Sequence, residues 1–430
     1  MDEVAASFSD LFGKDVIYNP LTVEEVSTLP FSTAPAMAQM CQFIGDPRML
    51  RHDLAVTVEV AFPKRPQTFE DWLLTHSDSS AFKRVGLDLD APEIKAVTVF
   101  GATSPEGTSV VKGLLNDSRK QYKIRATTRH LDSDNAKAVK ALDPERVELV
   151  YADFDDCSSC QKALEGMDGA FLVTDFYEDA AQDIEAEERH AKNVIDACEA
   201  SKSVKHLVFS TKESVDEMNR VLGLGLSASH DIKGKSAAVP QFDGKARAAA
   251  YARTKKLSVT YILMPCYSEL FFQRIEKRAS ANGGLDKYVL TLPLKDDAKV
   301  MCMSVDDLGP AVANIFDSYQ VYAGHEIGLV TDFVSVEEVK DIITDVFQKE
   351  GDKAVLLETE ETIVTGDVEP KDTYMKDLGQ MFAYLSHTEA VKMRHSIAKT
   401  MKLVPSALPL RKWVEQNVDN VEFREKLGLR

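Results

Sequence analysis

Short apolar runs alternate with amphipathic stretches through the middle of the chain. Ala96–Phe100 (AVTVF), 122–128 (YKIRATT), Val147–Tyr151 (VELVY), 170–174 (AFLVT), 204–210 (VKHLVFS) and 258–264 (SVTYILM) are short and rich in β-branched residues. Buried parallel strands have this character. Residues 108–115, 157–165 and 183–201 carry helical periodicity between them. The alternation predicts an α/β fold, a doubly wound parallel sheet over residues 92–264 with right-handed crossovers. From Pro265 short strands and helices mix, as in LTLPLKDDAKVMCMSVDDLGPAVANI and HEIGLVT, and 381–403 reads as helical. A smaller α/β C-terminal lobe is expected over 265–430. The glycine-rich segment 222–235 lacks periodicity and reads as a mobile loop.

The first ninety residues precede this pattern and resemble the end of the chain. AQMCQFIGDP from Ala38 aligns with GQMFAYLSHT from Gly379. Gln39, Met40, Trp72 and Phe82 recur at one constant spacing as Gln380, Met381, Trp413 and Phe423, and the two tryptophans are the only ones present. Residues 1–90 are therefore expected to be a partial repeat of the C-terminal lobe. Such a copy serves either as a docking module or lid, or as a decayed duplication packed outside.

A formal net charge of -18 argues against nucleic-acid or anionic-membrane partners. No apolar run approaches the roughly 20 residues of a membrane span, and the acidic start MDEVAASFSDLF is unlike a signal peptide. A cytoplasmic protein is expected, with nuclear access open. The six scattered cysteines fit reduced thiols. Cys157 and Cys160 have C-x-x-C spacing at a helix start, where thiols acidify. Two small helix residues, one of them buried, is the preferred reading over a redox switch. The dispersed histidines suggest no metal site.

The chemistry centres on the turn after Phe100. Gly101 suits a tight turn after the strand, and Gly107 close packing of helix on sheet. Amides at the helix start attract pyrophosphate. The end of the second strand carries Arg129 where an acidic residue would favour NAD; a guanidinium there grips a 2′-phosphate, so NADP(H) is expected over NAD. The alternative is a solvated arginine. Phe154 and Asp153, past the third strand, suit adenine, unless Asp153 caps the next helix. Thr174, Asp175 and Phe176 follow the fourth strand, over the crevice or in an ordinary turn. Short-chain dehydrogenases place a tyrosine acid four residues before a lysine. Here Lys245 is present, but Gln241 stands at that place and cannot exchange a proton. Lys245 is expected to hold ribose, with a surface lysine as the alternative; no catalytic residue is assigned.

These pieces together resemble the NmrA-like family, atypical short-chain dehydrogenase relatives with a Rossmann domain that bind dinucleotide without evident turnover. VFGATSPEG, KIRATTR, QFDGKA, MPCYSE and SVDDLGP carry the resemblance, in order, over about 96–423. It implies cofactor contacts at Gly101, Ala102, Thr103, Ser104, Pro105 and Glu106, and supports those at Arg129, Asp153, Phe154, Thr174 to Phe176, and Lys245. It adds Arg189, where the family has lysine, and Tyr267, Ser268, Glu269 and Leu270, which face the nicotinamide. Ser268 and Leu270 replace a phenylalanine and an asparagine. Ser104 adds a side chain beside the pyrophosphate and Pro105 removes an amide donor, so a weakened cradle is expected.

The resemblance implies an NADP(H)-binding redox sensor that acts through a regulatory or metabolic protein partner, with oligomers possible. Two other functions stand beside it. One is an isoflavone-reductase-like NADPH-dependent reductase using Lys245 as proton donor. The other is a nucleotide-free scaffold.

Overall fold

A computed structural model describes residues 92–226, 229–230, 236–278, 287–292, 294, 298–349, 357–361, 373–392 and 394–429. The proposed repeat over 1–90 and most of 227–235 lie outside these. Residues Pro92–Arg430 form one compact unit.

Its centre is a seven-stranded parallel sheet: β1 (Ala96–Phe100), β2 (Lys123–Thr128), β3 (Val147–Tyr151), β4 (Gly169–Leu172), β5 (His206–Thr211), β6 (Val259–Leu263) and β7 (Glu326–Gly328). The spatial order is β7-β6-β5-β4-β1-β2-β3. Val99 of β1 lies between Ala126 of β2 and Phe171 of β4. The helices include α1 (Pro105–Asn116), α2 (Asp134–Ala141), α3 (Cys157–Ala163), α4 (Ile184–Ala200), α5 (Val215–Leu222), α6 (Pro240–Ala252), α7 (Ser268–Gln273) and α8 (Leu308–Asp317), of which α5 and α7 pack on a second core away from the sheet. The doubly wound α/β fold expected from the sequence is what forms.

Both faces of the central strands are covered, which is why β1, β4, β5 and β6 are buried along their length and read as mostly apolar. On one face Val97, Val99 and Ile124 pack with Val110, Val111 and Leu114 of α1 and Val312, Ile315 and Phe316 of α8. On the other, Phe100, Leu172 and Phe209 meet Ala191, Val194 and Ile195 of α4 and Ala248 of α6. Buried polar groups within the sheet are paired. Thr98 donates to the Ala163 carbonyl at 2.8 Å, and His206 lies between Ser258 (2.7 Å) and Thr260 (2.8 Å).

Both β7 and α8 come from beyond Met264, so the sheet and its helical cover draw on the segment assigned to the smaller lobe. β7 pairs with β6 over only three residues, Glu326 to Gly328 against Tyr261 to Leu263, too few to show a period. The rest of that segment builds a second core. Phe272 stacks on Phe423 with ring centroids 4.1 Å apart, and Trp413 closes on both. Such stacking adds about 0.5–1.5 kcal/mol beyond burial. Trp413 and Phe423, the positions that set the repeat register, are thus core residues of the C-terminal lobe. Its tail is helical over Thr373–Leu385, Thr388–Lys392 and Ile397–Leu403. No helix among the described residues is long and apolar enough to cross a membrane.

Candidate functional site

The chain runs outward from β1 to β3, then returns to β4 on the other side of β1. A crevice opens at the carboxyl edge where this order reverses. Gly101 sits there with φ +79°, and a Cβ on it would lie 2.8 Å from the Val173 carbonyl oxygen. A Cβ on Gly107 would lie 2.1 Å from the Gly101 carbonyl oxygen. Both positions exclude any side chain.

Ser104 and Pro105 do not spoil this turn. Ser104 is the N-cap of α1; its hydroxyl donates to the Gly101 carbonyl at 2.8 Å and accepts from the Gly107 amide at 3.1 Å. Its side chain is used within the turn. Pro105 opens the helix, where an amide has no intrahelical partner and proline's fixed φ is favourable. The amide of Glu106, next along, also has no acceptor within the helix. The serine hydroxyl and the proline ring thus both belong to the start of the helix, and the turn keeps its shape.

A cavity of about 220 Å3 continues from the turn past the ends of β2 and β3. Thr103, Arg129, Asp153, Phe154, Asp179 and His190 line it. Arg129 is ion-paired to Asp179 through Nη2. Asp153 does not cap α3; Asp156 does, accepting from the Ser158 amide at 3.0 Å. Phe154 packs between Phe100 and His190, with ring centroids 6.2 and 6.1 Å away. Arg189 turns instead to Asp155, at 2.9 Å. Asp179, on the β4–α4 connection, and His190, on α4, had no sequence signal. A larger cavity of about 440 Å3 lies behind α1 against α8, away from the crevice.

At the other end, Lys245 is almost fully buried. Its ammonium donates to the Thr174 carbonyl at 2.8 Å and hydroxyl at 3.2 Å, and pairs with Glu187. Burial pushes the Glu187 carboxyl up, against the pull of Lys245. This rules out the surface-lysine reading. Lys212, which sequence reasoning missed, follows β5 directly. Its ammonium bonds the Met264 carbonyl over the Phe242 ring, and loss of water pulls its pKa down.

The remaining expected residues divide. Tyr267 reaches the cradle and donates to Glu106 at 2.5 Å; burial, with the Glu106 carboxylate, pushes its phenol well up. Asp175 accepts the Tyr177 and Glu178 amides at 2.8 and 3.0 Å, an ordinary turn. Phe176 is buried with Ile184 and Ala237. Glu269 accepts from the Ser304 hydroxyl at 2.6 Å, Ser268 is buried, and Leu270 packs on the C-terminal core. These contacts hold the start of α7 to the lobe. Burial pushes the Cys157 thiol up and that of Cys160 to about 12, overriding the helix terminus. Cys157, Cys160, Cys198, Cys266 and Cys302 are free thiols.

Comparison with known proteins agrees with this arrangement. An NmrA-like family domain-containing oxidoreductase, cpsB of Aspergillus campestris, is 30% identical over 57% of this chain and 70% of its own length. An NmrA-like family domain-containing protein of Dictyostelium discoideum is 25% identical over 59% of this chain and 78% of its own. Among solved structures, the negative transcriptional regulator NmrA in complex with NADP superposes with a TM-score of 0.59 at 16% identity, covering 78% of this chain and 98% of that one. The same regulator has been solved with NAD, again at a TM-score of 0.59. Residues 93–415 match the NmrA-like family, and the chain belongs to it.

Proposed function

We propose that this protein binds NADP(H) along the crevice and works as a redox-sensing regulator of a protein partner, with little dehydrogenase turnover. The observation that carries the reading is the joined arrangement of a side-chain-free turn at Gly101 and Gly107 with a guanidinium, Arg129, in the adjoining cavity. The Glu106 amide and the α1 terminus hold pyrophosphate, and Arg129 meets the 2′-phosphate. Phe154 and Asp153 form the adenine end. Lys245, fixed by Thr174 and Glu187, presents its ammonium to ribose. The bound nicotinamide supplies hydride-transfer chemistry.

Two features support binding over turnover. Gln241, buried at the start of α6, cannot relay a proton. The Lys245 ammonium is taken up by the Glu187 carboxylate and the Thr174 carbonyl. A regulator then signals through occupancy: the ligand favours the state that binds it better and biases a surface near Thr174 and 215–226. NmrA itself, described as a negative transcriptional regulator, supports this role by likeness.

A reductase is the second reading, favoured by relatives named as oxidoreductases. It requires Lys245 to protonate the reduced product. Mass spectrometry of nucleotide released from purified protein, followed by NADPH-oxidation assays over enones and benzylic ethers, separates the two. Released NADP(H) without oxidation supports the sensor. Oxidation abolished by Lys245→Met supports the reductase. A folded protein that neither retains nor takes up dinucleotide overturns both.

A further inference from the structure

The cavity that holds Arg129 also holds its counter-charge. Asp179 lies on the segment between β4 and α4, half-buried, and its carboxylate pairs with Arg129. Several backbone bonds fix that segment. The Ala180 amide donates to the Asp175 carbonyl at 2.9 Å, the Gln182 amide to the Phe176 carbonyl at 2.7 Å, and the Asp183 amide to the Ala180 carbonyl at 2.9 Å. Ala181 and Gln182 hold left-handed conformations, φ 48° and 61°. Non-glycine residues adopt these only where the surrounding structure holds them there. The surrounding contacts therefore keep Asp179 against the guanidinium.

Asp153 and Glu178 add negative charge to the same cavity wall. Burial pushes the Asp179 carboxyl up, Arg129 pulls it back, and Asp175 and Asp153 push it further up. The pocket is thus already rich in anionic groups. A 2′-phosphate brings a charge near −2. It must share the guanidinium with Asp179 at close range or displace it, and either course is opposed by like-charge repulsion. A ribose 2′-hydroxyl meets no such cost. It donates to a carboxylate, the role an acidic residue plays in NAD sites.

We infer that Asp179 is a specificity-determining residue which offsets the phosphate preference of Arg129, so that the site takes NADP and NAD with comparable affinity. The inference rests on this cavity being the adenosine-ribose end of the proposed dinucleotide site. Arg129 alone marks an NADP protein, and Arg129 with Asp179 marks a site of mixed preference.

Isothermal titration with four probes tests this: NADP+, NAD+, 2′,5′-ADP and 5′-AMP, the last two reading only the adenosine end. In the native protein, the NADP+ and NAD+ affinities are expected within about tenfold of each other. Asp179→Asn removes the charge and keeps the size. It is expected to raise the 2′,5′-ADP to 5′-AMP affinity ratio about tenfold or more, mainly by tightening the phosphate-bearing probe. Asp179→Ala, expected to move the ratio the same way, guards against a local rearrangement in one variant, with unchanged thermal melting as the folding check. A ratio that stays within about threefold of the native value in both variants overturns the inference alone. So does a native protein that prefers NADP+ more than about a hundredfold. Failure of all four probes to bind folded native protein overturns it together with the proposed function.

Discussion

Tyr267 donates a 2.5 Å hydrogen bond to Glu106, from the segment after β6 to the first turn of α1. These residues are far apart in sequence, and the bond joins the phosphate turn to the start of the C-terminal lobe. A nucleotide that touches the first turn of α1 therefore acts on a group shared with the lobe. Tyr267→Phe keeps the ring and removes the donor, leaving a buried carboxylate short of a partner. A loss of about 1–3 kcal/mol is expected. Urea denaturation of the two proteins measures it, and identical midpoints would show that the bond contributes nothing.

Gly107→Ala tests the turn by shape alone. Its Cβ would lie 2.1 Å from the Gly101 carbonyl oxygen and 2.7 Å from the Ala102 Cα, both backbone atoms that cannot rotate away. The turn must open or α1 must shift. Dinucleotide affinity is expected to fall at least about tenfold, with a loss of stability of about 1–3 kcal/mol from overpacking. Native melting temperature and affinity in the variant would refute the described turn.

Lys245 and Glu187 are buried together, so removing one strands the other. Lys245→Met leaves the Glu187 carboxylate without its cation and is expected to cost about 3–5 kcal/mol. Replacing both, as Lys245→Met with Glu187→Leu, is expected to restore much of that loss. A double-mutant cycle by chemical denaturation gives the coupling. Additive effects would mean the pair is not coupled in the folded protein.

His206 sets a pH dependence. Burial lowers its imidazole from 6.5 to about 3. Between those values the unfolded chain binds one more proton than the folded one at this residue. Its contribution is complete above pH 6.5 and is lost as pH falls toward 3, with a slope of about 1.4 kcal/mol per pH unit. His206→Gln removes this slope. The native-minus-variant stability, measured by urea unfolding from pH 7 to pH 4, is expected to fall with pH; a flat difference would contradict the burial of a neutral imidazole.

The central sheet was legible because β1, β5 and β6 are buried on both faces and their short runs are rich in apolar and β-branched residues. The three-residue β7 was not, since its place depends on pairing with β6. The glycine turn and Arg129 were visible as local patterns. Ser104 and Pro105 were visible too, but the capping role of the Ser104 hydroxyl was not, because it depends on how the turn folds back on Gly101. Tyr267 was expected to face the nicotinamide by resemblance, yet its bond to Glu106 had no local signal. Asp179, Glu187 and Lys212 carry no motif; β4, α4 and β5 bring them to the crevice only when the sheet closes.

The most direct test of the account is isothermal titration of NADPH and NADP+ into the folded protein and into Arg129→Ala. One dinucleotide per chain is expected, with affinity for both probes reduced at least about tenfold by the substitution. Absence of binding at millimolar probe concentration, or binding that Arg129→Ala leaves unchanged, would contradict it.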